Sequence, residues 1–250
     1  DRKGQLKNTR FAKAIIRSSH KLSYEEAQSI LDGDETEATR KDPPLKADLQ
    51  ELLRVSEILR RNRHDRGSID FDLPESHIVL DEDGAPIDIQ RNERTPAHML
   101  VEDLMIAANE AVADWTIEQG IPALYRIHEY PDDVSLETLR LVATEFGYSL
   151  PTRKAEPRDF QRLIDSVKGR PEQDIIAVQV LRSLSRARYS RTNEGHFGLA
   201  SPAYAHFTSP IRRYPDLFIH RQLSSWLNDP ASARSISLEW LDATAQQASI

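Results

Sequence analysis

Apolar positions along the chain recur mostly at helical spacing. Leu45, Leu49, Leu52, Val55, Ile58 and Leu59 share one helical face and predict an element over about 46–66, stopped by Gly67. Leu100, Leu104, Met105, Ala107, Ala108, Ala111 and Val112 predict a deeply buried helix over 96–119, ended by Gly120. Amphipathic stretches at 136–146 and 157–168 end at Gly147 and Gly169. Another helix opens at Pro171 and runs through Ile175, Val178, Leu181 and Leu184 to about Arg188. Ser23 followed by Glu26 reads as a capping box for a short helix that ends near Gly33. Alternation marks strands near 5–20, with Phe11, Ala14 and Ile16, and at 69–73, 77–80, 86–90 and 123–130, with a turn at Asp83-Gly84. The expected class is α+β: a small, twisted, mostly antiparallel sheet packed by several long helices. No internal repeat or low-complexity segment interrupts it.

Two polar residues break the apolar pattern of the 96–119 helix. Glu102 and Asn109 lie seven residues apart, and seven steps of about 100° return to within roughly 20° of the same azimuth. Polar groups on a buried stripe must be hydrogen-bonded or hydrated. They either bond neighbouring backbone or face a wet channel. Phe71 stands between Ile69 and Leu73 on one strand face, an ordinary core position by pattern.

Composition narrows the class without naming a function. A chain of 250 residues with 39% hydrophobic and 29% charged residues has enough apolar material for one substantial core. The absence of cysteine excludes disulfides and thiolate metal sites. No apolar run approaches the roughly 20 residues of a membrane span, and no signal peptide is evident, so a cytoplasmic location is expected. The opening Asp1-Arg2-Lys3-Gly4 lacks methionine and the helical pattern is still running at Ile250, which reads as an internal fragment of a longer protein.

The net charge is −7, yet from Arg182 to Arg221 seven arginines face only Glu194 and Asp216, a local excess of +5. An acidic body with one basic segment suits a confined nucleic-acid channel better than the coating of a duplex. That segment contains the densest chemistry of the chain, HFGLASPAYAHFTSPIRRYPDLFIHR from His196 to Arg221, with eight aromatic or imidazole rings around one Arg-Arg pair. Ser209-Pro210 reads as a helix start, which sets Arg212 and Arg213 in a first turn whose N–H groups are unpaired. Pro215 cannot continue that turn without a kink, so a longer helix is expected to restart there and run through Asp216, Ile219, His220, Leu223 and Leu227. Arginine, a helix N-terminus and aromatic faces are what a phosphate-and-base ligand needs. The same string also reads as aromatic core with Asp216 and His220 as a surface pair.

The ordered string resembles the signature of the RNB catalytic domain, the ribonuclease II and ribonuclease R family of 3′-to-5′ exoribonucleases. Its SPIRRYPDL core is closer to ribonuclease R. The pattern E-x-x-M-I-x-A-N is met by Glu102, Met105, Ile106, Ala108 and Asn109, and the strand ALYRIHEYP and the Ser18-Ser19-His20 and Leu22-Ser23-Tyr24 segments extend the resemblance over essentially all of residues 1–250. It implies a partial RNB catalytic domain of a processive hydrolase that releases nucleoside 5′-monophosphates from the 3′ end of single-stranded RNA, structured RNA included. It implies that Arg212 binds the scissile-region phosphate, that Phe71 stacks on terminal bases, and that Glu102 and Tyr24 hydrogen-bond ribose. His128 is expected to be structural. The resemblance also implies Mg²⁺, held by aspartates upstream of this segment, so that no metal ligand is expected within it and the isolated segment is expected to be inactive. Cold-shock and S1-type RNA-binding domains are the implied flanking partners, and no membrane is involved.

Two other readings remain open. One is a catalytically inactive, RNA-binding relative in which the phosphate-binding residues survive. The other is a metal-independent hydrolase using Ser209 with His206 or His220, which lacks both a nucleophile-elbow context and an orienting acid.

Overall fold

A computed structural model describes residues 1–70, 75–81, 84–92, 94–152 and 154–249. The element order is α1 (Tyr24–Asp32), α2 (Glu37–Lys41), α3 (Pro44–Arg66), β1 (Glu75–Leu80), β2 (Pro86–Asn92), α4 (Pro96–Glu118), β3 (Tyr125–Ile127), α5 (Asp133–Glu145), α6 (Pro157–Val167), α7 (Gln173–Ser183), β4 (Arg188–Ser190), α8 (Tyr214–Asn228) and α9 (Leu238–Ala248). The class is α+β, as expected, but the pairing is sparser than a single sheet. β1 and β2 form one antiparallel ladder, bulged between Val79 and Leu80, and β3 and β4 form another.

Segment 5–20 is not a strand. It has no ladder partner among the described residues, and Ile15 and Ile16 are exposed. Phe11 is anchored edge-on to Trp115 with ring centroids 5.1 Å apart, and His20 Nε2 lies 2.8 Å from Asp42 Oδ2. Alternation over a few residues cannot supply a neighbouring strand, and backbone hydrogen bonding decides the outcome. Ile69 likewise lies outside any strand, and its amide donates to the Gly198 carbonyl at 2.8 Å. The helix expected to reach Arg188 stops at Ser183, and Arg188 instead opens β4.

The helices follow the apolar periodicity closely. α3 ends at Gly67, whose φ of 105° favours glycine, and a Cβ there would meet the Arg158 backbone nitrogen at 2.8 Å. α1 is capped by Ser23, whose hydroxyl accepts from the Glu26 amide at 3.1 Å.

One apolar cluster joins Val112 and Ala113 of α4 to β3, Tyr189, Phe218 and Ile219 of α8, and Leu241 of α9. A second holds α5, α6 and α7 together around the fully buried Phe160 and Ile176, with Phe197 and Ile69. α4 is deeply embedded, burying Leu100, Asp103, Ile106, Asn109, Val112, Trp115 and Thr116 among others. It is the spine from which both halves of the candidate site are hung.

Candidate active site

The loop that carries Arg212 is fixed through its backbone. Asn109, almost fully buried, accepts the Phe207 amide on Oδ1 at 2.9 Å and donates from Nδ2 to the Tyr204 hydroxyl at 2.9 Å. The Phe207 carbonyl lies 3.0 Å from His220 Nε2, and the two rings stack at 4.2 Å. Two residues on, the Ser209 amide donates to Asp216 Oδ1 at 2.8 Å. α4 and α8 thus grip three backbone groups just before the Arg-Arg pair.

The helix does not begin at Ser209-Pro210. Residues 210–212 form a turn, in which the Arg212 and Arg213 amides both reach the Ser209 carbonyl. Arg213, at φ −126° and ψ 120°, is the N-cap of α8. Pro215 accounts for the break: it has no N–H, and its ring would clash with the carbonyl four residues earlier in a helix continued from Pro210. Arg212 therefore precedes α8 instead of lying in a first turn.

The two adjacent arginines have different surroundings. Arg213 donates from Nη2 to Asp216 Oδ1 at 2.7 Å, and Asp216 is completely buried. Asp216 therefore pairs with Arg213 and not with His220, and its charge sits favourably in the first turn of α8. Arg212 is exposed and, among the described residues, its side chain makes no hydrogen bond or ion pair. Three buried polar atoms beside it also lack partners: Thr208 Oγ1, Arg213 Nε and Asp216 Oδ2.

A chain of rings backs this loop. His128, His196, Tyr204, His206 and Tyr189 succeed one another edge to face. Burial, reinforced by neighbouring positive charge, holds His196 at a pKa of about 3 and His206 at about 4. His128 is lowered chiefly by burial, and its Nδ1 accepts the Gly198 amide, the structural role expected of it. His206 Nδ1 lies 2.7 Å from the Tyr189 hydroxyl. With His206 and His220 committed to Tyr189 and Phe207, no Ser209–histidine pair forms among the described residues. The nucleophilic-serine reading has no geometry behind it.

The second half of the site lies about two to three turns back from Asn109 along α4. Tyr24 stacks on His98 with centroids 4.0 Å apart, and Glu102 follows His98 at i+4 on the same helix. Tyr24 and Glu102 are thereby brought to one face. Glu102 borders a cleft of about 460 Å³ between α3 and α4, whose lining includes Arg60, Arg61, Arg63, Asp70 and Arg94. Phe71 lies outside the described residues. Glu102 and Asn109 share an azimuth but not an environment, one half-exposed at the cleft and the other buried as a backbone clamp.

Two charged groups escaped the sequence pattern. Asp103, wholly buried, binds Arg63 Nη2 at 2.5 Å, Arg60 Nη2 at 2.9 Å and the Ser56 hydroxyl at 2.5 Å. Its place between Leu100 and Ile106 at three-residue spacing was the available signal. Arg94 grips Glu102 and Asp70, which nothing in local periodicity discloses. Among the described residues no group of three or more His, Asp or Glu side chains is arranged to hold a metal ion. The carboxylates beside the cleft are interleaved with arginines, so the residues described do not fit Mg²⁺.

The sequence profile of the RNB domain matches residues 1–229. Ribonuclease R of Aquifex aeolicus (strain VF5) is 43% identical over 228 residues, 91% of this chain but 32% of that protein. The chain therefore spans about a third of the length of such relatives. The apo form of Mycoplasma genitalium RNase R superposes with a TM-score of 0.82 at 29% identity, covering 90% of this chain and 36% of that one. The same enzyme in complex with ribose methylated single-stranded RNA gives 0.80 at 28% identity, over 90% of this chain and 36% of that one. Yeast Ssd1, described as a pseudonuclease, shares the fold with a TM-score of 0.67 at 20% identity, covering 91% of this chain and 27% of its own. No helix among the described residues is long and apolar enough to cross a membrane. By the extent of the profile match, the chain belongs to the RNB domain family.

Proposed function

We propose that this chain is part of an RNB catalytic domain, residues 1–250, in a cytoplasmic, processive 3′-to-5′ exoribonuclease of the ribonuclease R type. The protein hydrolyses single-stranded RNA, and structured RNA with it, to nucleoside 5′-monophosphates. The observation that carries the reading is the asymmetry of the arginine pair: Arg213 is neutralised by buried Asp216, while Arg212 has no partner among the described residues, on a loop whose backbone is held from both sides. A fixed, unpaired guanidinium suits a phosphate whose charge grows in the transition state.

Around it, Glu102 and Tyr24 contact ribose, where the 2′-hydroxyl separates RNA from DNA, and Phe71 stacks on the terminal bases. Mg²⁺ supplies the Lewis-acid chemistry of such hydrolysis, with ligands assigned to sequence flanking this chain. Cold-shock and S1-type domains are assigned to the same flanks. The RNA complex of the Mycoplasma genitalium enzyme supports RNA as the ligand class.

The test is the intact protein incubated with 3′- and 5′-labelled RNA and Mg²⁺, with products resolved by size and chemistry. Progressive release of nucleoside 5′-monophosphates from the 3′ end is expected. Tight RNA binding without cleavage would replace this reading with that of a catalytically inactive RNA-binding relative.

A further inference from the structure

The mouth of the α3–α4 cleft is built around one guanidinium. Arg94 donates from Nη2 to both Glu102 oxygens at 2.7 Å and from Nε to Oε2 at 3.1 Å, while its Nη1 reaches Asp70 Oδ1 at 2.8 Å. All three guanidinium nitrogens are thus engaged by two acids from different segments. Burial opposes the charge on Arg94, but hydrogen bonds and attraction from Asp70 and then Glu102 hold its pKa above the ordinary value.

Stability does not account for this arrangement. Side-chain exposures of 33% for Arg94, 42% for Glu102 and 56% for Asp70 place the pairs where exposed ion pairs contribute at most about 1 kcal/mol. What the fork does supply is orientation. A carboxylate has about four acceptor sites. Arg94 occupies one edge of Glu102, so the remaining lone pairs keep a fixed direction at the cleft. Asp70 immediately precedes Phe71, so the same guanidinium ties the segment leading to the expected base-stacking ring to the expected ribose contact. Acceptors held in a fixed direction at the mouth suit a ligand with hydroxyls to donate, such as a sugar.

We propose that Arg94 is a specificity-determining positioning residue, which fixes the Glu102 carboxylate and the Asp70 segment so that the cleft discriminates ribose from 2′-deoxyribose. This rests on the reading of Glu102 as a ribose contact. Lysine cannot replace arginine here, because a point charge cannot take two carboxylates in a planar fork.

The experiment uses the intact protein and pairs of oligonucleotides, all-ribo or carrying one 2′-deoxynucleotide at each successive position from the 3′ end. Single-turnover cleavage gives the ribo/deoxy rate ratio at each position for wild type, Glu102→Gln, Arg94→Lys, Arg94→Ala, Asp70→Asn and Glu102→Gln/Arg94→Ala. Expected is a drop of about tenfold in the ratio at one position for Glu102→Gln and both Arg94 variants, the loss of about one hydrogen bond's worth of discrimination. Thermal midpoints should stay near wild type, the double variant should match Glu102→Gln, and Asp70→Asn should show a smaller drop. If Glu102→Gln lowers the ratio and neither Arg94 variant does, or if Arg94→Ala slows ribo and deoxy substrates by one common factor, the assignment of Arg94 is overturned. If Glu102→Gln leaves the ratio unchanged, the ribose-contact reading itself fails and the assignment falls with it.

Discussion

The turn that carries Arg212 and the cleft between α3 and α4 treat their arginines in opposite ways. In the cleft, Arg60 and Arg63 lean on buried Asp103, and Arg94 is divided between Asp70 and Glu102. At the turn, Asp216 takes Arg213 and leaves Arg212 with no partner among the described residues. Neutralised guanidinia orient and pack; an unpaired one on a clamped loop is available to an anion. Charge alone did not distinguish these arginines. Their carboxylate partners do.

The largest stability effect separates Asp103 from its neighbour. Asp103→Ala should destabilise the protein by about 3–5 kcal/mol, because Arg63 would remain buried without its counter-charge. Denaturant unfolding reads this as a lower midpoint at unchanged slope. A loss under about 1 kcal/mol would mean the buried network contributes no more than a solvated pair.

Over one pH unit, a smaller effect should come from acid. His196 and His206 remain neutral in the fold down to pH of about 3 and about 4, whereas in the unfolded chain they take up protons below about 6.5. The unfolded state therefore binds more protons in that window. Stability should be complete above about pH 6.5 and fall as pH drops, by at most about 1.4 kcal/mol per pH unit for each group. Substituting both histidines with residues that do not titrate, such as Gln, should flatten that part of the profile. An unchanged slope would contradict the buried neutral state.

The smallest effect belongs to Glu102. Glu102→Gln should change unfolding stability by less than about 1 kcal/mol, since its pair with Arg94 is half-solvated. A cost approaching that of Asp103 would erase the distinction between a packed acid and one proposed to contact substrate.

Helix positions were readable because burial repeats with the helical period, and α3, α4, α5 and α6 lie within a few residues of the stretches their apolar spacing predicts. The strand at 5–20 was not, because alternation describes one chain while a ladder needs two. The start of α8 was legible from Pro215, where the helix restarts as expected, whereas the helix start expected at Ser209-Pro210 is only a turn, because a cap-like pair cannot nucleate a helix that Pro215 interrupts five residues later. Asn109 was correctly flagged as a polar interruption, and only tertiary contact with Phe207 and Tyr204 decides between clamp and channel. Arg94 was missed because its partners lie 24 and 8 residues away, outside any helical repeat.

The central claim is that Arg212 is the unpaired, phosphate-facing guanidinium, and the most direct measurement is single-turnover RNA cleavage beside RNA binding for Arg212→Ala, Arg212→Lys and Arg213→Ala in the intact protein. Arg212→Ala should lose on the order of 10²-fold or more in cleavage rate while affinity falls far less, as for other lost transition-state donors. Arg212→Lys should remain poor. Arg213→Ala, which strips buried Asp216 of its partner, should act mainly through stability. Equal cleavage losses at Arg212 and Arg213 in folded protein, or an Arg212 defect confined to binding, would contradict the account.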